Sequence, residues 1–459
     1  MPTPDEQAVA QRRRRDTIKA QFFNAPLAAN RYRVTNLIGE GAYGIVCSAI
    51  DSRTKEAVAV KRILRCLDTF PMATRILREL KFLRLLSNHD NIIQVRDVLL
   101  PGKLDKFNDT FVVFELMPTD LNRLLRSKTN TLSPDHVKYF MFQLLRGIHF
   151  MHTARVFHRD LKPNNILINS KCELRICDFG LARAAFENGP ETRFWTDYVA
   201  TRWYRAPELI MEYLTDYSTA IDMWSVGCIF AELLGNGKVL FPGKNSKHQF
   251  ELITDVIGPP PAQAIDKLRN PQAKRVLMQF QNPNKPTRPL EQVFYNAHPL
   301  AVDVLRGMLA FDPDERISAY DALHHAYFSE YRHLGLGAQA QPLPAWEFEF
   351  ERKPLTPQEM REEFLREILH YHPEYSAETL RWWSIGRGFK TKSAVDRVGM
   401  QMSGFQQQRD AGRSRYDTLE EKVMEHLTGG NERTRVGGYA PHRQHVTMSE
   451  SELGQYNRR

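Results

Sequence analysis

The sequence predicts an α+β chain in two lobes, a small strand-rich one followed by a larger helical one. Three observations carry this. From Tyr32 to about Phe114 apolar and polar residues alternate with the period of strands, and in one interruption, Ala73 to Leu86, Ile76, Leu80 and Leu83 share a helical face. From Asp120 onward the period changes: Ser133 is placed to cap and Pro134 to open a helix in which Val137, Phe140, Met141, Leu144, Leu145 and Ile148 recur every three or four residues. Ala220 to Leu234, closed by Gly235, is apolar on nearly every side, the pattern of a helix buried inside its lobe. Residues 1–31 are polar and basic and are expected to form a disordered arm. From 377 to 459 the chain is rich in Gly, Gln, Ser and Arg with no sustained period, and a disordered tail is expected, with a capping box at Thr418 and Glu421 as its one helical signal.

Composition narrows the class. The chain has 459 residues, 42% hydrophobic and 25% charged, which is ordinary globular content. No run of about 18 apolar residues exists, since Met223 to Leu234 is broken by Ser225, Gly227 and Glu232, so no spanning helix or membrane association is expected. The N-terminus, with Asp5, Glu6 and Arg12 to Arg15, lacks the apolar core of a secretory signal. A cytoplasmic chain is expected. Arg12 to Arg15 reads first as a solvated charge run, with nuclear import as the alternative. Cys47, Cys66, Cys172, Cys177 and Cys228 show no paired or metal-ligand spacing and read as reduced thiols. The net charge of +9 is spread out, with +3 in residues 1–31, +4 in 377–459 and +2 between them, so direct nucleic-acid binding is not expected.

Four short motifs carry chemistry. Gly39-Glu40-Gly41-Ala42-Tyr43-Gly44-Ile45-Val46 is a glycine-rich turn whose backbone can approach phosphate oxygens closely. A strand, not a helix, follows it, which disfavours a dinucleotide site. Ala57-Val58-Ala59-Val60-Lys61 is an alternating strand ending in a lysine, and Glu79 on the helical stretch beyond could hold that lysine in charge and position. His158-Arg159-Asp160-Leu161-Lys162-Pro163-Asn164-Asn165 offers a carboxylate able to accept a hydroxyl proton. Asp178-Phe179-Gly180, thirteen residues after Asn165, completes with that amide a pair of hard oxygen donors for Mg²⁺.

In this order and at these distances the motifs resemble the signature set of the eukaryotic protein kinases. The resemblance spans about Tyr32 to Phe328 and includes Ala206-Pro207-Glu208, Asp222-Met223-Trp224 and Arg316. It implies the bilobal kinase fold, with lobes over about 32–114 and 118–328, and ATP and Mg²⁺ as cofactors. It implies that Lys61, held by Glu79, places phosphates under a loop running from Ile38 to Val46, with Ala59, Glu115, Met117 and Asp120 around adenine and ribose and Phe114 guarding the deeper pocket. Asn165 and Asp178 would hold Mg²⁺, Asp160 would orient and deprotonate the substrate hydroxyl, and Lys162 would stabilise the moving phosphoryl group. Glu208 would pair with Arg316, and Asp222 would brace the backbone at His158 and Arg159. Cys177 reads as a small buried side chain whose place makes it a target for electrophiles.

Thr196-Asp197-Tyr198 resembles the dual-phosphorylation segment of the mitogen-activated protein (MAP) kinases. By that resemblance Arg78, Arg159 and Arg183 gather a phosphothreonine, and Arg202 and Arg205 receive a phosphotyrosine. The stretch of about 242–299 is similar to the family's insert. Phe348-Glu349-Phe350-Glu351-Arg352 and Leu365 to Pro373, within 329–376, are similar to its C-terminal extension, whose helix packs on the small lobe. Implied partners are protein substrates carrying Ser or Thr before Pro, an upstream dual-specificity kinase and phosphatases, with the enzyme itself a monomer. Where the family carries an acidic docking patch this chain reads Glu330-Tyr331-Arg332-His333, a poor complement for a basic peptide. A cyclin-dependent enzyme is the nearest rival but lacks the paired Thr and Tyr, and an inactive scaffold would have lost Lys61, Asp160 or Asp178.

Overall fold

The computed structural model describes residues 13, 14, 16–23, 31–41, 44–99, 107–127, 132–186, 202–210, 218–268, 271–282, 287–353 and 355–372. The small lobe is built on a five-stranded antiparallel sheet, ordered β1-β2-β3-β5-β4. Its strands are β1 (Tyr32–Gly41), β2 (Gly44–Asp51), β3 (Ala57–Ile63), β4 (Val95–Val98) and β5 (Thr110–Glu115), with helix α1 (Phe70–Leu85) between β3 and β4. Alternation sorts the side chains onto two faces. Cys47, Ala49, Val58, Val60, Phe111 and Val113 form the outer core, whereas Val46, Ala59 and Lys61 stand on the inner face with their register partners Val112 and Phe114.

Residues 16–23 depart from the expected disordered arm. Phe22, 1% exposed, and Phe23 pack on Phe111 with centroids 5.9 and 5.5 Å away, and Arg62 Nη1 donates to the carbonyls of Gln21 and Phe22 at 3.0 and 2.9 Å. Burying such an aromatic side chain is worth about 1.5–3 kcal/mol, enough to fasten a short polar segment over the sheet's outer face. Helix α1 also begins a turn earlier than its apolar period, because Thr69 caps it by accepting the Met72 amide and Pro71 supplies a preset first turn.

The second lobe runs through β6 (Thr119–Asp120), α2 (Leu121–Arg126), α3 (Pro134–Thr153), β7 (Val156–Phe157), β8 (Ile166–Ile168), β9 (Leu174–Ile176), β10 (Arg183–Ala184), α4 (Pro207–Ile210) and α5 (Ala220–Leu234). Ser133 and His136 exchange backbone-to-side-chain bonds at the start of α3, and all six apolar residues of its expected face are buried. In α5 every residue from Ala220 to Leu233 is buried. The segment resembling the family's insert carries α6 (Ser246–Ile257), α7 (Ala262–Asp266), α8 (Pro271–Met278) and α9 (Leu290–Val293), and Phe250, Ala264, Ile265, Leu268 and Leu277 make a small core of their own with Phe311. After α10 (Pro299–Met308) and α11 (Ala319–His324) the chain turns back through a 3₁₀ segment, Ala345–Glu351, to α12 (Pro357–His370).

That return segment lies against α1, and charge joins the two. Lys81 and Arg84 of α1 meet Glu347 and Glu367 in a cluster closed to solvent, with N–O distances of 2.7 to 3.0 Å. Burial alone would raise the Glu367 carboxyl, but Arg84 and Lys81 outweigh it and hold it well below the usual range. Beyond α12, His372 Nε2 reaches the Val98 carbonyl at 2.9 Å on β4. The tail over 377–459, including Thr418 and Glu421, lies outside the described residues.

Candidate active site

The site forms where the inner face of the sheet meets the turns of the second lobe. Lys61 Nζ donates to Glu79 Oε1 and Oε2 at 2.9 and 3.1 Å. Burial alone would lower its pKa, but Glu79 and then Asp178 raise it, so the ammonium is fixed in charge. Asp178 sits in the left-handed region at φ 65° and ψ 69°. Burial would raise its carboxyl, yet Lys61 first, then Arg75, with Lys162, hold it low, leaving an ionised group facing cations.

Asp160 is anchored from beneath. The Asp222 carboxylate, fully buried on α5, accepts the amides of His158 and Arg159 at 2.9 Å each and contacts His152 Nε2 at 3.1 Å. That suspension holds Arg159 at φ 69°, a conformation few non-glycine residues adopt. Next in the turn, Lys162 Nζ donates to Asp160 Oδ2 at 2.6 Å, and Asn165 Nδ2 donates to the Asp160 carbonyl at 2.8 Å and to Oδ2 at 3.2 Å. His158 Nδ1 accepts the Asp160 amide, so Nε2 carries the proton and donates to the Cys177 carbonyl at 3.0 Å. One imidazole thus ties the turn bearing Asp160 to the residue before Asp178.

With Asn165 Nδ2 committed to Asp160, the amide oxygen is what that side chain has left for a cation. Together with the ionised Asp178 this is a hard donor pair suited to Mg²⁺. Among the described residues no group of three or more His, Cys, Asp or Glu could hold a metal by itself. The pair fits an ion that takes one or two ligands from protein and the remainder from phosphate and water.

The other expected site residues divide. Val46 and Ala59 lie on the inner face with Lys61, Ile38 is half-buried, and Gly39 pairs with Val46 and Gly41 with Gly44 in the hairpin. Glu40 and Ile45 pair with each other, and Ile45 packs into the outer core while Glu40 meets Arg14, so their side chains turn away from Lys61. At those two positions only the backbone remains on the side of Lys61. Ala42 and Tyr43 lie outside the described residues. Glu115 spends its carboxylate on Arg175 at 3.1 Å and on the Gln94 amide, Met117 is buried, and Asp120 caps α2 by accepting the Arg123 amide at 2.9 Å. Burial raises the Asp120 carboxyl.

Arg78, Arg159 and Arg183 converge on the carbonyls after Asp178. Arg78 Nη1 donates to Gly180 O at 2.9 Å, Arg159 Nη1 to Leu181 O at 3.3 Å and Arg183 Nη1 to Ala182 O at 2.8 Å. Arg202 and Arg205 are half-buried at the 3₁₀ turn before Pro207. Thr196 and Tyr198 lie outside the described residues. Glu208 and Arg316 form a fully buried bidentate pair at 2.7 and 3.1 Å, as the resemblance implies. Cys177 is half-buried, and burial first, then Asp178 and Glu79, push its thiol up, which lowers its thiolate fraction.

Sequence reasoning missed the acids that face α1. Glu347, Glu351 and Glu367 lie more than 260 positions from Arg78, Lys81 and Arg84. The resemblance places the extension's helix on the small lobe, and the basic residue at every third position from Arg75 to Arg84 was the signal for acids opposite it.

A family profile described as "Protein kinase domain" matches residues 32–328. The chain is 49% identical over 382 residues to "Mitogen-activated protein kinase 14" of Oryza sativa subsp. japonica, covering 83% of this chain and 69% of that protein. It is 47% identical over 390 residues to "Mitogen-activated protein kinase 9" of Arabidopsis thaliana, covering 85% and 75%. With "Mitogen-activated protein kinase 15" of Oryza sativa subsp. japonica it shares 48% over 382 residues, covering 83% and 76%.

Proposed function

The chain belongs to the mitogen-activated protein kinase family of serine/threonine protein kinases, and from that premise we propose how its residues divide the work and how it is switched. It transfers phosphate from ATP, with Mg²⁺, to serine and threonine hydroxyls of protein substrates in MAP kinase signalling. Phosphoryl transfer asks for positioning and charge stabilisation more than covalent work. In our reading Lys61, locked by Glu79, orients the α- and β-phosphates under the glycine loop. Asp178 and the Asn165 oxygen would hold Mg²⁺, which would neutralise charge on the phosphates. Asp160 accepts the hydroxyl proton of the substrate, and Lys162, 2.6 Å from Asp160, stabilises the group in transit. The observation that carries the reading is the linkage of these groups into one frame, Lys61 on Glu79, and Asp160 joined to Asp178 through His158 and the Cys177 carbonyl.

Substrates carry Pro after the acceptor, and Thr196 and Tyr198, both phosphorylated by an upstream dual-specificity kinase and cleared by phosphatases, are the switch. The enzyme acts as a monomer in the cytoplasm, with Arg12 to Arg15 a solvated charge run. Recruitment by a basic docking peptide is disfavoured, because the Glu330 carboxylate is already met by Lys138 at 3.0 Å. The test is phosphate incorporation from ATP and Mg²⁺ into a Ser-Pro peptide and its Ser-Ala counterpart, by purified chain whose phosphorylation state is read by mass spectrometry. Strong preference for Ser-Pro, rising when both Thr196 and Tyr198 are modified, is expected. Equal use of the two peptides overturns the substrate reading, and full activity with neither residue modified overturns the switch.

A further inference from the structure

Glu351 ends the 3₁₀ segment of the extension, and its carboxylate reaches into the arginine cluster behind Asp178. Oε1 lies 2.5 Å from Arg78 Nε and Oε2 3.8 Å from Arg183 Nε. These side chains are largely shielded, at 7% exposure for Arg78, 14% for Arg183 and 20% for Glu351, so the attraction keeps more of its strength than a surface pair does. Each arginine also holds backbone, Arg78 the Gly180 carbonyl and Arg183 that of Ala182. The carboxylate therefore couples α1, which carries Glu79, to β10 and to the turn that follows Asp178. An aromatic contact runs alongside: Phe82 of α1 lies 4.7 Å from Phe348 of the extension and 6.4 Å from Phe179.

We propose that Glu351 is a positioning residue, an inbuilt acid that fastens Arg78 and Arg183 over the Asp178 turn and so sets Asp178 and Glu79 for phosphoryl transfer before any phosphate reaches Thr196. A second part rests on the reading of these arginines as receptors for a phosphate on Thr196. A phosphate brings about −1.5 to −2 charges and three acceptor oxygens against the single charge of a carboxylate. Once present it takes over the cluster, and Glu351 becomes dispensable.

The test compares wild type, Glu351→Gln and Glu351→Asp as full chains, first stripped of phosphate and then fully phosphorylated on Thr196 and Tyr198, each state checked by intact mass. Turnover of a Ser-Pro peptide is followed at saturating ATP and Mg²⁺. Without phosphate, Glu351→Gln should lose about tenfold in kcat, the scale of one hydrogen bond to a charged group, with peptide KM unchanged and Glu351→Asp recovering most of the loss. After phosphorylation the gap should close to within about twofold. Amide exchange at residues 178–182 reads the same positioning where basal turnover is too low to follow, and should quicken in Glu351→Gln at an unchanged melting temperature. Equal kcat and equal exchange for wild type and Glu351→Gln overturn the proposal, as does the same loss in both phosphorylation states, which would mark Glu351 as scaffolding alone. Phosphorylated wild type no faster than unphosphorylated sinks the reading of Thr196 and leaves Glu351 to be judged on the first comparison.

Discussion

Glu367→Gln isolates the joint between the extension and α1. Lys81 and Arg84 meet Glu347 and Glu367 there, with Glu363 3.5 Å from Lys81 at the edge of the cluster and paired in turn with Arg366. Glu367 accepts from Arg84 Nε at 2.7 Å and Nη2 at 3.0 Å, and lies 3.0 Å from Lys81 Nζ, with 2% of its side chain exposed. Glutamine keeps the shape, removes the charge and turns an amide donor toward two cations. Breaking a buried pair costs about 3–5 kcal/mol, and because Glu347 still meets both cations and Glu363 still meets Lys81, the low end applies. About 3 kcal/mol is roughly a hundredfold in the equilibrium for local opening, at about 1.4 kcal/mol per decade. Amide exchange on α1 and α12 should show that loss of protection, while replacing Arg84 and Glu367 together by Met should restore part of it. The pH dependence has a definite sign. A carboxyl whose folded-state pKa is depressed contributes fully above its ordinary value, near 4.5 for Glu367, and loses that contribution only as pH falls through the lower folded value. The gap between wild type and variant should therefore stay constant from about pH 8 to pH 5. Loss of less than about fivefold in protection, or a gap that narrows over that range, refutes the reasoning.

On the proposed role of Asp160 as base, Asp160→Asn should lower kcat on a Ser-Pro peptide by about 10²- to 10⁴-fold with little change in melting temperature; undiminished turnover removes Asp160 from that role. Gly44→Ala should disrupt the β1–β2 hairpin, because at φ +152° the new methyl carbon would lie 1.9 Å from the Arg62 carbonyl oxygen. A raised KM for ATP and a lower melting temperature are its signatures, and a variant indistinguishable from wild type in both contradicts it. Cys177 in the folded chain should alkylate with iodoacetamide at pH 7.5 at least about tenfold more slowly than free cysteine, because its thiol holds its proton. A rate matching the free thiol is the contrary result.

The residues of the candidate site were legible because each sits in a local pattern. Lys61 ends an alternating strand, Asp160 and Asn165 share one turn, and Asp178 opens another, so few long-range facts were needed to list them. What the loop motif hid was orientation: taken as a block it offers Glu40 and Ile45 equally with Val46, whereas strand pairing turns the first two outward. The helix start at Thr69 was missed because a cap and a proline define it, not an apolar residue. Phe22 and Phe23 were passed over because the polar, basic composition of residues 1–31 outweighed them, although one aromatic pair suffices to dock a short segment on a sheet. Glu347, Glu351 and Glu367 were illegible for a different reason. The resemblance places the extension's helix on the small lobe, but nothing in the spacing of either segment says which acids meet which bases of α1.

The Asp222 carboxylate has a consequence for how this enzyme can vary. The turn bearing Asp160 hangs from a group on α5, whose residues from Ala220 to Leu233 are buried, and not from the peripheral loops beside it. Insertions, deletions and altered recognition surfaces around the rim can accumulate without disturbing the distances at the reacting atoms, so new specificities can be grafted onto an unchanging centre.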